Sequence, residues 1–249
     1  MASQRQREHG HVEETSKREQ RADRILDAAA ELMLRWGYNK TTIDDIARVA
    51  GVAKGTIYLH WKTREDLFLA LMRREYVRLT RDIQQRIAGD TDGGTLQGLT
   101  RHSMLATLKH PLIKAVLLRD TDLLGAWLHN EYTSETYSQQ IAQSLALIEF
   151  YRSRGVVRDD FDVRKLAYML DAITIGFLVI EEYMPDEFTY SDEEVVEMTA
   201  EAVKRTFAPA EPSAPQPDEK TKQELANILI SSLDTVLAIR SRLDQEETT

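Results

Sequence analysis

The run Thr41–Lys62, TTIDDIARVAGVAKGTIYLHWK, constrains this chain more than any other stretch. Thr42 followed by Asp45 fits a capping box, so a helix is expected to begin there. Ile43, Ile46, Ala47 and Ala50 recur at helical spacing and give that helix one apolar face. Gly51 supplies a turn, because glycine takes a left-handed backbone at low cost. Val52 can plug the angle between two helices. The following segment, 54–60, is too short to be stable alone, since helix nucleation is costly. It must lean on its neighbours, which leaves its other face free. Two short helices on a tight turn are the helix-turn-helix plan, whose second helix enters the DNA major groove.

The wider run carries more. Trp36-Gly37-Tyr38, Thr41-Thr42-Ile43, Ile46-Ala47, Ala50-Gly51-Val52, Gly55-Thr56-Ile57-Tyr58, His60-Trp61-Lys62 and Glu65-Asp66-Leu67 stand in order over residues 17–80. In that order and spacing they resemble the DNA-binding domain of the TetR family of bacterial transcriptional regulators. Trp61 stands where the family usually has Phe, and Arg64 where it often has Lys; both keep the physical character. The remaining two thirds of the chain resembles the family only as an all-helical pattern.

Candidate DNA contacts follow from side-chain chemistry. Lys54 and Thr56 lie near the exposed start of the second helix. Lys54 can donate to guanine acceptors or to phosphate, and the Thr56 methyl can meet a thymine methyl. Tyr58, His60 and Lys62 end in hydrogen-bond donors close together in sequence, which suits phosphate clamping. Thr42 sits at a helix N-terminus, where hydroxyl and backbone donors attract phosphate. The resemblance implies the same roles. Ile57 and Trp61 read as core.

A net charge of −9 is at odds with DNA binding until the chain is split. Residues 1–80 hold 15 Lys and Arg against 12 Asp and Glu, and the rest holds 17 against 29. The basic excess sits with the helix-turn-helix, and the acidic remainder is repelled from phosphate. There is no cysteine. No disulfide or thiolate metal site can form, which suits a cytoplasmic protein. No 18-residue apolar run suggests a membrane span, and the charged N-terminus has no apolar core for a signal peptide.

The expected organisation is all-α. Residues 1–15 are polar enough to read as a disordered arm. A capping box at Ser16-Lys17-Arg18-Glu19 opens the first helix of a DNA-binding domain over 16–62, with Arg18, Arg21 and Arg24 as a basic side. Thr63 with Asp66 starts a long helix into a ligand-binding and dimerisation domain, 63–207. Breaks fall at Gly89–Gly94, His110-Pro111, 130–133 and Gly155. Asp162 caps a helix to about Met184, and Ser191 with Glu194 caps the next. Residues 208–217, APAEPSAPQP, hold four of the six prolines and read as a linker. Thr221 with Glu224 caps an extra C-terminal amphipathic helix within 218–249, expected to pack on the body because its apolar stripe is too large to leave exposed.

The resemblance implies a ligand pocket in the body. His102, Trp127, Tyr168 and Asp171 are the candidates there, each weighed against ordinary core or surface roles. Asp171 stands out as the only charge between Lys165 and Glu181 in an almost wholly apolar helix. A ligand, a pairing arginine or a subunit edge could each explain it. Leu166, Leu170, Ile173, Phe177 and Ile180, with Val195, Ala202 and Val203, are the candidate dimer interface, because their seven-residue stripe exceeds what one body can bury. No phosphate loop, nucleophile elbow or zinc-protease motif is present, so no enzyme, metal or cofactor is expected. The reading is a homodimeric regulator, a repressor in most members of the family, that binds a double-stranded DNA operator under control of a small-molecule effector. A regulator controlled by a protein partner is the alternative, and a helical enzyme with a DNA-binding head is a weaker one.

Overall fold

The computed structural model describes residues 2–125, 134–209 and 218–229, and the side chains of 16–125, 141–181, 183–209 and 218–229. All regular structure among them is helical. The helices are α1 (Ala2–Trp36), α2 (Ile43–Ala50), α3 (Lys54–Tyr58), α4 (Arg64–Gly89), α5 (Leu96–Lys109), α6 (Pro111–Leu118) and a short α7 at 121–125. Then come α8 (Ser134–Arg152), α9 (Val163–Val179), α10 (Asp192–Phe207) and α11 at 219–229. None is long and apolar enough to cross a membrane among the described residues.

Two compact units divide the described chain. The first, the head, holds residues up to Arg74 together with 120–125. The second, the body, holds 75–119 and the described residues from 134 onward. This division differs from the sequence reading, which ended the head at residue 62 and kept 63–207 together. The first half of α4 buries Leu67, Phe68 and Leu71 in the head, and α7 returns to it: the Tyr38 N–H donates to the Leu123 carbonyl at 2.8 Å.

Capping fixes most helix starts. Thr42 is the N-cap of α2 and accepts from the Asp45 N–H, while Gly51 ends α2 at φ 65°. Thr63 and Asp66 exchange backbone-to-side-chain bonds of 3.0 Å at the start of α4. Asp162 caps α9, and Ser191 with Glu194 forms a complete capping box on α10. Two expected starts move. The first helix begins at Ala2, not at Ser16, so 2–15 continue a helix where an arm was expected; Glu, Gln and Arg are good helix formers once a neighbouring turn exists. The last helix is capped by Asp218, whose Oδ1 accepts from the Thr221 N–H at 2.8 Å and its hydroxyl at 2.7 Å. The carboxylate one turn earlier outcompetes a cap at Thr221 itself. The helix expected to run to Met184 stops at Val179 and tightens into a 3-10 turn, Ile180–Tyr183, ahead of Pro185.

In the body α10 packs on α5 and α9, and α8 on α9. Met104, Leu178 and Val196 make one core cluster, flanked by Leu105, Leu108, Phe177 and Val195. Tyr151 is buried and donates its hydroxyl to the Gly94 carbonyl at 3.0 Å, and burial pushes its phenol pKa up. The described part of α11 packs on this body: Leu225 and Leu229 are buried, Glu224 pairs with Arg154, and Gln84 donates to the Ala226 carbonyl at 3.4 Å.

Candidate nucleic-acid interface

The head has a small, completely closed interior. Ile25, Ala29 and Met33 of α1, Ile46 of α2, Ile57 of α3 and Leu67 of α4 are all without solvent exposure. Tyr38 sits beneath α4, its ring edge-on to Phe68 at 4.8 Å and its hydroxyl donating to Glu65 at 3.2 Å. The Arg64 guanidinium lies 3.8 Å over the Tyr38 ring and donates to the backbone carbonyls of Tyr38 and Thr41. A planar guanidinium can stack and bridge two carbonyls at once. Arg64 therefore pins the corner between α1 and α2, and through it the start of α2.

With Ile57 turned inward, the five residues of α3 present their other sides to solvent. Lys54 and Tyr58 are exposed, and Thr56 is half-buried. Gly55 lies between them, and a methyl group placed there would meet nothing within 4 Å. The fold has no need of a glycine at that point, and glycine weakens a helix. Leu59, which is not among the sequence candidates, is 75% exposed beside Tyr58.

Around α3 the charged groups are already interlinked. Lys54 Nζ lies 2.9 Å from Asp44 Oδ2, and this carboxylate holds the ammonium pKa above its ordinary value. Thr42 Oγ1 donates to Asp45 Oδ2 at 2.6 Å, and Arg48 pairs with the other oxygen of Asp45 at 2.7 Å. The Thr42 and Arg48 bonds hold the Asp45 carboxyl below its usual range. His60 is half-buried beside Trp61, ring centroids 5.2 Å apart. Burial, and after it the positive charges of Arg18 and Arg21, push the His60 pKa down. The basic side of α1 thus acts on the end of α3, while Lys62 stands exposed beyond it. Thr42, Lys54, Thr56, Tyr58, His60 and Lys62 therefore occupy one continuous stretch of the head, from the start of α2 to the end of the turn after α3.

The candidates in the body do not come together in this way. His102 is buried on α5, with Nε2 2.8 Å from Asp90 Oδ2 in the α4–α5 loop. Asp171 accepts from the Ser144 hydroxyl of α8 at 2.9 Å, and burial raises its carboxyl pKa. Tyr168 is 77% exposed. Trp127 lies outside the described residues. These are three separate settings, not one pocket wall.

The expected interface stripe also divides. Leu166, Leu170 and Val203 are buried inside the protomer's own core, so they cannot form a surface between chains. The seven-residue repeat identified an apolar face but not what covers it. Another face, along α9, the 3-10 turn after it and α10, is open: Tyr168, Ile175, Ile180 and Met198 are exposed. Ile173, Phe177 and Val195 are half-buried beside it, as is Ala202 further along α10. A groove of about 450 Å³ runs here, lined by Ile173, Phe177, Ile180, Met184, Phe188 and Met198 among others.

Residues 25–71 match the bacterial regulatory proteins of the tetR family. The chain is 24% identical over 159 residues, 64% of its length and 79% of the relative's, to the HTH-type transcriptional repressor AcnR of Corynebacterium diphtheriae. It is 43% identical over 53 residues to the HTH-type transcriptional regulator QacR of Staphylococcus aureus, which covers 21% of this chain and only 28% of that protein. Among solved structures, native NalD, the secondary repressor of the MexAB-OprM multidrug efflux pump in Pseudomonas aeruginosa, covers 77% of this chain and 98% of its own. Its TM-score is 0.54 at 22% identity, a likeness of fold.

Proposed function

Because the chain belongs to the tetR family of bacterial regulatory proteins, we propose that it is a homodimeric transcriptional repressor whose operator binding is set by a small molecule in the body. The observation that carries the DNA-binding part is α3: a helix of five residues, anchored by Ile57, with Lys54, Gly55 and Tyr58 turned to solvent. Lys54 and Thr56 meet base edges, while Tyr58, His60, Lys62 and the N-terminus of α2 at Thr42 hold phosphates. Two α3 helices about 34–36 Å apart reach successive major grooves, which requires two chains. The open apolar face of α9 and α10 supplies the contact, since exposed apolar surface of this kind marks an interaction site. AcnR, matched over 64% of this chain, is named as a repressor, which supports the repressor reading.

Effector control works through unequal affinity. A ligand that prefers a different spacing of the two heads lowers operator affinity by the ratio of its affinities for the two arrangements.

The test begins with an operator selected from a random duplex library by the wild-type chain. Lys54→Ala is expected to cost about 1–3 kcal/mol of binding to it, and Tyr58→Phe a smaller loss, with circular dichroism unchanged in both. Equal affinity in both variants and wild type would remove α3 from the interface.

A further inference from the structure

Carboxylates are out of place on a surface that meets a polyanion. Yet Asp44 and Asp45 stand in the first turn of α2, beside the residues assigned above to DNA. Asp45 has an evident structural task, since it completes the Thr42 cap and holds Arg48. Asp44, as a first-turn acid, complements the dipole of α2, but that task makes no use of Lys54. Its one described partner is Lys54, ten residues on across the turn, and both side chains are largely open to water, 70% and 49% exposed. An exposed ion pair contributes little to stability. The helix dipole accounts for an acid at this position, but neither it nor general attraction to DNA accounts for its pairing with Lys54.

We propose that Asp44 is a specificity-determining residue that makes Lys54 a reader of bases instead of a phosphate clamp. The inference rests on the DNA-binding function proposed above. An ammonium has three N–H donors and no acceptor. With one donor directed to Asp44, the others remain for a ligand. A phosphate approaching them comes within a few ångströms of a carboxylate, and like charges at that range repel. The N7 and O6 acceptors of guanine carry no net charge, so they share the ammonium with Asp44 without that penalty. Phosphate binding at this point is suppressed on every sequence, while base binding is retained where a suitable acceptor occurs. Asp44 therefore lowers affinity for arbitrary DNA and widens the gap between operator and background, a repulsive element serving selectivity.

The experiment is a double-mutant cycle on the full chain: wild type, Asp44→Asn, Lys54→Ala and the double variant. Binding is measured against a random-sequence duplex over a range of salt, and against the selected operator. Each phosphate neutralised steepens the dependence of log affinity on log salt by about 0.9. Asp44→Asn is expected to steepen the slope on random duplex by about that amount for each bound subunit and to reduce the operator-to-random affinity ratio. Lys54→Ala alone should leave the random-duplex slope as it was, and the double variant should return to the wild-type slope. A slope unchanged in Asp44→Asn overturns the proposal. So does a steepening that persists in the double variant, because Asp44 would then act on DNA directly and not through Lys54. If the wild-type chain binds no duplex at all, the DNA-binding function itself falls and this role with it.

Discussion

Head and body solve the same problem with opposite materials. Each closes a core of fully buried aliphatic and aromatic side chains, such as Ile46 and Phe68 in one, Ile148 and Phe207 in the other. Outside, they diverge. The outward side of the head is built from charged and hydroxyl groups already bonded to one another, Lys54 to Asp44 and Thr42 to Asp45. The outward side of α9, its 3-10 extension and α10 carries Tyr168, Ile175, Ile180 and Met198, all exposed among the described residues. A polar surface of the first kind is stable in water and can exchange partners at little cost. An apolar surface of the second kind is tolerated only when covered. The difference predicts a reversible contact at the head and a permanent one at the body.

The largest effect should come from making the body resemble the head. Ile175→Glu combined with Met198→Glu places two charges on the open face, and burying an unpaired charge is prohibitive. The expected result is folded monomers at micromolar concentration, measured by sedimentation, with operator binding abolished. A stable dimer from this variant would show that these helices do not join two chains. Phe177 is a poorer choice for the same purpose, since it is half-buried against the protomer's own core.

Leu225 sharpens the comparison by asking how far the body extends. It is fully buried although it follows the proline-rich segment. Leu225→Ala should cost about 2–5 kcal/mol and lower the melting temperature by several degrees. A melting curve that does not move would detach α11 from the cooperative unit.

A smaller effect belongs to Asp171, a carboxylate within the apolar body. Burial raises its native pKa, against the opposing bond from Ser144. A raised native carboxyl favours the fold at low pH, and that contribution is lost as pH climbs through the native value. Asp171→Asn, which can still accept from Ser144, should therefore raise the melting temperature at neutral pH. The gain should vanish below the ordinary carboxylate range. A gain that is constant across pH would mean that charge is not its cause.

The smallest effect is in the head. Replacing Arg18 and Arg21 with Gln should move the His60 titration midpoint upward in an NMR experiment. It should stay below the ordinary histidine value, because burial is the larger cause of the depression.

How far the sequence disclosed this molecule depended on where each signal resides. Caps reside in side chains at fixed spacing, so Thr42, Thr63, Asp162 and Ser191 were readable as helix starts and Gly51 as a stop. The outward donors of α3 were readable for the same reason, since Ile57 alone determines which side is inside. Periodicity in α9 was equally visible, but a repeat does not state its partner, and Leu166 and Leu170 proved to face their own core. The Lys54–Asp44 pair spans a turn whose angle no local pattern specifies. His102 was singled out by type, yet its partner Asp90 lies in the loop after α4, where spacing along the sequence does not say which side chains meet. The placement of α7 with the head was invisible, because it is held by the Leu123 carbonyl, a group that every residue possesses.

That last contact has a consequence for how the protein can be made and rebuilt. The Tyr38 N–H finds its acceptor at Leu123, 85 residues later in the chain. The head is therefore not a contiguous module. On the ribosome it stays unfinished until α7 has emerged, after the whole of α4, α5 and α6. A gene fragment ending at residue 74 would encode a head without the Leu123 carbonyl that accepts from the Tyr38 N–H, and a chimaera grafting this head onto another body has to bring 120–125 with it.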